Sequence, residues 1–152
     1  MTSAAIARTR SRPVSCGTLV LAGDRLLLGH ATRSPRWDIP KGMAEPDEAL
    51  AAAAARELLE ETGLVAAEAS LVALGVFPYL RDKDLALFRW SPATPPDPRA
   101  LACASRFTAR DGAQLPEFDR FGLFAWDEAL SRVGKSLAQI LGSLPPDIRR
   151  PV

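Results

Sequence analysis

Short apolar runs separated by turn-forming residues open the chain. Residues 16–21 and 25–29 are strand-like, and the Ala-Gly-Asp at residues 22–24 between them has the composition of a tight turn. This pattern predicts a β-hairpin. Residues 34–41 contain two prolines, which disfavour a helix or a central strand, so a loop is predicted there.

An alanine-rich segment with acidic residues predicts a helix after this loop. Pro46 suits the first turn of a helix, and Asp47 and Glu48 suit the positive end of the helix dipole. Alanines dominate residues 49–55 and favour helix formation. Gly63 is the expected C-terminal cap.

The second half of the chain alternates between strand-like runs and turn-rich segments, and it ends in one amphipathic segment. We predict strands at residues 70–79, 84–90, 103–108 and 121–126, loops at 91–98 and 109–118, and one helix at about 127–141. Strands around an acidic helix, followed by a final helix, predict the α/β (α+β) fold class.

The composition is that of an ordinary globular domain, with 47% apolar and 24% charged residues in a chain of 152. We expect one domain over residues 14–144, a flexible basic tail over 1–13 and a C-terminal tail over 145–152. Lys and Arg together number 19 and Asp and Glu 18, so the net charge of +1 argues against a protein that coats nucleic acid by charge alone. A small anionic ligand in a local pocket is compatible with this balance.

Two isolated cysteines, Cys16 and Cys103, belong to no Cys/His cluster, which argues against a zinc site. A single disulfide stays open, but two small core residues in a reducing compartment are the favoured interpretation. No apolar run approaches the roughly 20 residues that span a bilayer. We therefore expect a cytoplasmic protein without a membrane partner.

Three glutamates share one side of the predicted acidic helix. At 100° per residue, Glu57, Glu60 and Glu61 fall within an arc of about 100°. Glu57 and Glu61 lie one turn apart, where like charges destabilise a helix unless something offsets them. A divalent cation would offset them, and carboxylate oxygens suit Mg²⁺ or Mn²⁺. A solvated acidic face is the alternative interpretation of the same cluster.

The spacing of the residues around the glutamate cluster favours the metal-binding interpretation over a solvated acidic face. Gly42, five residues, Glu48, seven residues and the run Arg56-Glu57-Leu58-Leu59-Glu60-Glu61-Thr62-Gly63-Leu64 match the Nudix box at every defined position. The chain therefore resembles the Nudix hydrolases, which cleave a phosphoanhydride bond in a nucleoside diphosphate linked to another group. The resemblance implies an α/β/α sandwich with a mixed central sheet, a loop and helix formed by the box, and a C-terminal helix.

Metal binding is the first role that the resemblance implies for the box. Hard oxygen ligands suit the expected Mg²⁺, with Mn²⁺ as the alternative. Arg56 would brace the glutamates, and Glu48 would fix the geometry between loop and helix. The implied metal ligands are Glu57, Glu60, Glu61 and the backbone carbonyl near Gly42.

Proton transfer is the second implied role, because a carboxylate beside a metal-bound water would take its proton. Glu57 is the first candidate for this base and Glu117 is the second. An exposed loop acid is the alternative interpretation of Glu117. The expected catalytic set is Glu57, Arg56, Glu61 and Glu117.

The residues before the box narrow the range of expected substrates. A Trp-x-x-Pro-Lys-Gly lead-in at residues 37–42 resembles the Nudix branch that cleaves diadenosine polyphosphates and, in relatives, diphosphoinositol polyphosphates. Lys41 would meet a phosphate, Tyr79 or Trp37 would supply an aromatic ring for a base, and Lys83 would add a second cation. Ordinary packing aromatics and a solvated loop lysine are the alternatives.

The leading hypothesis is a metal-dependent pyrophosphohydrolase acting on a dinucleoside polyphosphate such as diadenosine tetraphosphate. ADP-ribose, nucleoside triphosphates including oxidised ones, RNA 5′ ends and diphosphoinositol polyphosphates are alternative substrates. A non-catalytic nucleotide-sensing domain is the alternative of a different class, against which the retained glutamates argue. We expect a small nucleotide as partner and no stable nucleic acid complex. A homodimer is common among relatives, and the sequence does not decide the oligomeric state.

Overall fold

The fold is taken from a computed structural model that describes residues 12–149. Nine strands and three α-helices follow one another along these residues. The strands are β1 Val14–Ala22, β2 Arg25–Ala31, β3 Trp37–Asp38, β4 Lys41–Met43, β5 Val72–Leu80, β6 Lys83–Trp90, β7 Arg106–Thr108, β8 Gln114–Pro116 and β9 Phe118–Ala125. The helices are α1 Leu50–Thr62, α2 Trp126–Arg132 and α3 Lys135–Ser143, with short 3₁₀ turns at Glu68–Ser70, Pro98–Ala100 and Pro146–Arg149.

Seven of the strands form one mixed sheet. Its order is β3-β2-β1-β6-β5, with β4 also pairing with β1 and β9 also pairing with β2. The β1–β6 pair is parallel and the other pairs are antiparallel. The remaining two strands, β7 and β8, form a separate hairpin. This arrangement confirms the predicted mixed α+β fold.

Each face of the sheet is covered by helix. Alanine and leucine side chains of α1 pack against one face, where Leu58 meets Val20 of β1 and Leu27 of β2. The C-terminal helices cover the other face, where Leu137 and Leu141 of α3 join the main apolar core. Burial of these faces removes apolar surface from water, which is the main force holding the three layers together.

The acidic helix begins later than predicted. Ala49 is its N-cap, with φ −64° and ψ 145°, so Pro46, Asp47 and Glu48 precede the helix. Glu48 instead closes a turn: its backbone N–H donates to the Glu45 carbonyl (3.0 Å), and its carboxylate accepts from the Glu45 N–H (3.0 Å). The predicted cap is confirmed, since Gly63 is left-handed at φ 84° and its N–H donates to the Leu59 carbonyl.

The single C-terminal helix predicted from the sequence is two helices. The helical conformation is interrupted between α2 and α3 at Gly134, whose backbone is extended at φ −65° and ψ 160°. Glycine weakens a helix interior, and the Arg36 guanidinium lies 3.2 Å from the place that a Cβ of residue 134 would take. Trp126, predicted to end a strand, begins α2 instead. In the predicted C-terminal tail, the Arg149 guanidinium stacks over the Trp126 ring at 5.2 Å.

Two segments have a different secondary structure from the one predicted. The predicted strand at 103–108 shortens to β7, because the N–H groups of Ala104 and Ser105 donate to the Glu60 carbonyl at the end of α1. The predicted loop at 34–41 contains β3, whose Trp37 pairs with His30 of β2. Both changes come from hydrogen bonds between distant parts of the chain.

Of the predicted tail at residues 1–13, residues 1–11 lie outside the described part of the chain. The domain bounds of 14–144 stay a prediction. Arg12 pairs with Asp84 at 3.2 Å. The two cysteines are not joined in a disulfide: Cys16 is buried and Cys103 is half-buried. Within residues 12–149, each helix is too short or too polar to cross a bilayer.

Candidate active site

A cleft of about 420 Å³ opens beside β4, at the side of α1 that carries the glutamates. Strands β1 and β4, helix α1 and the segments around residues 105 and 117 form its walls. Charged side chains dominate its lining: five carboxylates and two lysines, namely Asp38, Glu57, Glu60, Glu61, Glu117, Lys41 and Lys83. All of these except Asp38 were predicted from the sequence, and Gly42 lines the cleft as well, so the structure brings together seven predicted site residues.

The helix presents its glutamates in graded exposure. Leu58 is fully buried against the sheet, and this fixes the rotation of α1 about its axis. Glu61 is then almost completely buried, at 5% exposure, while the side chain of Glu60 is 45% exposed. The side chain of Glu57 lies between them at 12%. The cleft thus has one carboxylate at its base and one at its rim.

Arg56 connects the loop of the box to the helix. Its guanidinium binds both carboxylate oxygens of Glu48, with Nε–Oε2 at 2.8 Å and Nη2–Oε1 at 2.9 Å. It also donates to Oε2 of Glu57 at 2.9 Å and to the Met43 carbonyl at 3.0 Å, and it lies 3.6 Å from Glu60. The predicted bracing geometry of Arg56 and Glu48 is therefore present.

This ion pair makes a testable contribution to stability. The Arg56 hydrogen bonds, with that from the Glu45 N–H, lower the pKa of Glu48 to about 2. Replacing Glu48 with glutamine is expected to lower the free energy of unfolding at pH 7 by roughly 1–3 kcal/mol, because a bidentate, charge-assisted pair is lost. Urea unfolding of both proteins at pH 7, 5 and 3.5 measures the difference.

The pH dependence has a definite sign. Because the folded-state pKa of Glu48 lies below the ordinary value of 4.5, its contribution is complete above pH 4.5 and is lost as the pH falls towards about 2. The difference between wild type and Glu48→Gln should therefore shrink at pH 3.5. A difference of the same size at all three pH values would contradict this role of the charge.

Glu61 and Glu117 meet at the base of the cleft. The Lys41 backbone N–H donates to Oε1 of Glu61 at 3.0 Å. Burial, together with a hydrogen bond that the protonated Glu61 side chain donates to the neighbouring Glu117 carboxylate, raises the pKa of Glu61 to about 9, against the opposing effect of the Lys41 N–H. Burial also raises the pKa of Glu57, despite its bond to Arg56. The cleft thus concentrates more negative charge than its own cations neutralise.

Glu117 is held at several points, unlike the exposed loop acid that was its alternative interpretation. It lies between β8 and β9, and its backbone N–H donates to the Ser105 carbonyl at 2.9 Å. Its carbonyl accepts from the Thr32 N–H at 3.2 Å, and its carboxylate accepts from the Ser105 hydroxyl at 2.6 Å. Ser105 was missed by the sequence analysis, and no local pattern marks it.

Gly42 lies in the wall of the cleft. It belongs to β4 and pairs with Cys16 of β1. A Cβ at this position would overlap the carboxyl group of Glu57. Glycine at this position therefore leaves room for the Glu57 carboxyl group where it stands, and the backbone is not left-handed.

Lys41 is not a solvated lysine. Its ammonium forms an ion pair with Asp38 at 2.8 Å, its side chain is 19% exposed, and it lies 5.9 Å from the ring centre of Tyr79. Burial alone lowers the pKa of Lys41, but Asp38 and Tyr79 outweigh it and the pKa lies above its usual value. Asp38 was missed by the sequence analysis, although its spacing of three residues from Lys41 was visible. Lys83 is 4.0 Å from the sulfur of Met43.

Trp37, predicted to bind substrate, does not line the cleft. Its ring is 9% exposed and is flanked by the guanidinium groups of Arg120 and Arg132 at 5.2 and 5.8 Å. The ring also meets Phe124 edge-on at 4.9 Å. Trp37 is therefore a packing aromatic, the alternative interpretation of this residue. Side chains alternate between the two faces of the sheet along β3, and Trp37 points towards the face that the C-terminal helices cover. Nearby, His30 has an acidic partner that the sequence did not reveal, Asp119 at 2.8 Å.

The carboxylates are not arranged around a single point. Among residues 12–149, no three histidine, cysteine or acidic side chains converge as metal ligands. Glu57 and Glu60 are drawn towards Arg56, and Glu61 shares a hydrogen bond with Glu117. The donors themselves are all hard carboxylate oxygens around one cleft, which is the chemistry that Mg²⁺ or Mn²⁺ requires.

Comparison with known proteins identifies the class. The sequence profile of the NUDIX domain matches residues 11–133. The chain therefore belongs to the Nudix hydrolase family. One relative, 36% identical over 146 residues, is the uncharacterized 17.7 kDa protein in the e-segB intergenic region of Enterobacteria phage T4; the match covers 89% of this chain and 97% of that protein.

Solved structures share the fold at low sequence identity. A MutT NUDIX hydrolase from Burkholderia pseudomallei has a TM-score of 0.66 at 17% identity, over 90% of this chain and 100% of that one. The E. coli dihydroneopterin triphosphate pyrophosphohydrolase has a TM-score of 0.62 at 16% identity, over 84% and 91%. A C. elegans Ap4A hydrolase has a TM-score of 0.57 at 18% identity, over 84% of this chain and 92% of that one.

Proposed function

We propose that this chain is a metal-dependent pyrophosphohydrolase that cleaves a phosphoanhydride bond in a nucleoside diphosphate linked to another group. The observation that carries the proposal is the cleft itself. It places the carboxylates of Glu57, Glu60, Glu61 and Glu117 beside two lysines. Such a site combines acids for a cation and a base with positive charge for phosphate.

The donor set fits Mg²⁺, with Mn²⁺ as the alternative. Glu57, Glu60 and Glu61 would hold the metal, with the backbone near Gly42. A bound divalent cation neutralises phosphate charge and lowers the pKa of a water ligand. Arg56 orients Glu57 through its 2.9 Å hydrogen bond. A divalent cation would offset the repulsion among these crowded carboxylates, because an opposite charge nearby favours their charged form.

Glu117 is our preferred proton acceptor, ahead of Glu57, which the sequence analysis placed first. Oε2 of Glu57 is engaged by Arg56, and a Cβ at Gly42 would overlap its carboxyl group, so Glu57 has little freedom to accept a proton from water. Glu117 faces the same cleft, and its carboxylate is oriented by the Ser105 hydroxyl. A general base needs this orientation towards the attacking water.

A dinucleoside polyphosphate such as diadenosine tetraphosphate is the proposed substrate. Lys41 and Lys83 line the cleft and provide positive charge for a long phosphate chain. Tyr79 is outside the lining of the cleft and packs against the apolar core, but its half-buried ring lies 5.9 Å from the Lys41 ammonium and would be the aromatic ring nearest to a bound base. The Ap4A hydrolase among the structural neighbours supports this choice only through the shared fold, as does the dihydroneopterin triphosphate enzyme.

The test is phosphate-product release from a nucleotide panel, with Mg²⁺, with Mn²⁺ and with excess EDTA. The panel contains diadenosine tetraphosphate, ADP-ribose, nucleoside triphosphates including an oxidised one, triphosphorylated RNA and a diphosphoinositol polyphosphate. We expect metal-dependent cleavage, fastest for diadenosine tetraphosphate. Faster cleavage of another member would overturn the substrate, and binding without any cleavage would favour a nucleotide-sensing domain.

Two further properties belong to the proposal. The two cysteines form no disulfide with each other, in keeping with a reducing compartment such as the cytoplasm. The oligomeric state is open, with a homodimer as the form to test by size-exclusion chromatography with light scattering. Neither property alters the expected chemistry of the cleft.

A further inference from the structure

The segment before β7 crosses the C-terminal end of the glutamate-bearing helix. The N–H groups of Ala104 and Ser105 both donate to the Glu60 carbonyl, at 2.7 and 3.1 Å. This carbonyl lies in the last turn of α1, where carbonyl groups lack partners within the helix. The segment is thereby fixed to the same turn that carries Glu60 and Glu61.

Ser105 extends this attachment to Glu117. Its carbonyl accepts from the Glu117 N–H at 2.9 Å, and its hydroxyl donates to Oε2 of Glu117 at 2.6 Å. One residue thus links the end of α1 to both the backbone and the carboxylate of an acid from another part of the chain. Ser105 also lines the cleft.

The hydroxyl has a task that the backbone bonds do not perform. Glu117 faces Glu61, and two carboxyl groups at close range repel each other when both are charged. Without the serine hydroxyl, only the hydrogen bond with Glu61 would orient the Glu117 carboxylate. A short bond from a hydroxyl to a carboxylate is charge-assisted, so it fixes the direction of the carboxylate.

We propose that Ser105 is a positioning residue, whose hydroxyl holds the Glu117 carboxylate against the glutamates of α1 so that it can accept a proton from water. The proposal rests on the proposed function, because it concerns the carboxylate that takes that proton. Nothing in the Nudix box specifies Ser105, which lies 41 residues beyond Leu64, the last residue of the box. The assignment comes from the contacts alone.

The side chain can be tested separately from the backbone. Ser105→Ala keeps all three backbone hydrogen bonds and removes only the hydroxyl, whereas Ser105→Thr keeps a hydroxyl. Ser131→Ala is the matched control, since the Ser131 hydroxyl makes a bond of the same length, 2.6 Å, to the Glu128 carbonyl on exposed α2. Thermal unfolding of each variant reports whether the fold is retained.

We expect Ser105→Ala to lower kcat about 10- to 100-fold with KM changed less than about twofold, as is usual when a group that orients a metal-site carboxylate is lost. Ser105→Thr should recover most of kcat, and Ser131→Ala should match wild type. In a Glu117→Gln background, Ser105→Ala should cause no further loss, because the serine acts through Glu117.

Mn²⁺ affinity, measured by calorimetry, is the readout that does not depend on turnover. Ser105→Ala should weaken it by roughly tenfold, because a displaced Glu117 carboxylate no longer adds its negative charge beside the proposed ligand Glu61, and Ser105→Thr should restore it. An active wild type whose Ser105→Ala variant keeps both kcat and Mn²⁺ affinity overturns the positioning role and leaves the proposed function intact. If wild type cleaves no member of the panel, the proposed function fails, and the Mn²⁺ affinities alone decide the role of Ser105.

Discussion

Glu57→Gln and Glu61→Gln are each expected to reduce turnover by about three orders of magnitude or more while the fold is retained. Glutamine has the size of glutamate but lacks the charge that a divalent cation requires. Stabilisation of developing charge in such a site accounts for much of the lowering of the barrier. Both side chains line the proposed metal cleft, Glu61 at its buried base and Glu57 beside Arg56.

The measurement is kcat with saturating Mg²⁺ on the best substrate of the panel. Glu68→Gln is the control, because Glu68 is an exposed glutamate in the 3₁₀ turn just after α1, outside the cleft. Glu68→Gln should match wild type in turnover and in thermal unfolding. Near-normal turnover in both Glu57→Gln and Glu61→Gln would show that the metal is held elsewhere.

Local geometry explains why the acidic helix and its glutamates were predictable. Glu57, Glu60 and Glu61 lie within five residues of one helix, and helical rotation alone decides which side they share. Leu58 marks the neighbouring, sheet-facing side of that helix, where it is fully buried. Gly63 ends the helix because it adopts a left-handed conformation that other residues avoid.

The failures have a different cause, since each depends on a specific side-chain contact. Helix α1 begins only at Leu50, because the Glu48 side chain lies before the helix and binds the Arg56 side chain, which reaches back across the first turns. The C-terminal helix broke at Gly134, which packs against Arg36 from the other end of the domain. Helix propensity carries no information about either contact.

The same reason separates the site residues that were found from those that were missed. Lys41 stands next to the box, so its place in the cleft followed from the lead-in pattern. Glu117 was also found, whereas Ser105 was missed because it meets Glu117 only after β7 and β8 pair and the segment crosses α1. His30 and Asp119 are 89 residues apart and meet at an irregularity between β2 and β9. Such pairs are set by the register of the sheet, which one sequence does not reveal.

The second large effect is expected from adding one methyl group to the box. In Gly42→Ala, the new Cβ would occupy the place of the Glu57 carboxyl group. The backbone of residue 42 is held by its pairing with Cys16 and does not yield readily, so the glutamate must move. A displacement of about 1 Å costs roughly 10²-fold in rate, and we expect kcat to fall by at least that factor.

Gly142→Ala provides the matched control for this substitution. Gly142 lies in α3, and its new Cβ would be 3.7 Å from Leu130, an ordinary contact. This variant should keep wild-type turnover and be equally stable or more stable, because alanine favours a helix. The backbone at Gly42 is not left-handed, so Gly42→Ala should also stay folded in a thermal unfolding experiment. Wild-type turnover in Gly42→Ala would mean that catalysis does not depend on where Glu57 places its carboxylate. A loss confined to kcat would show that the box needs glycine at residue 42 because of its contact with Glu57.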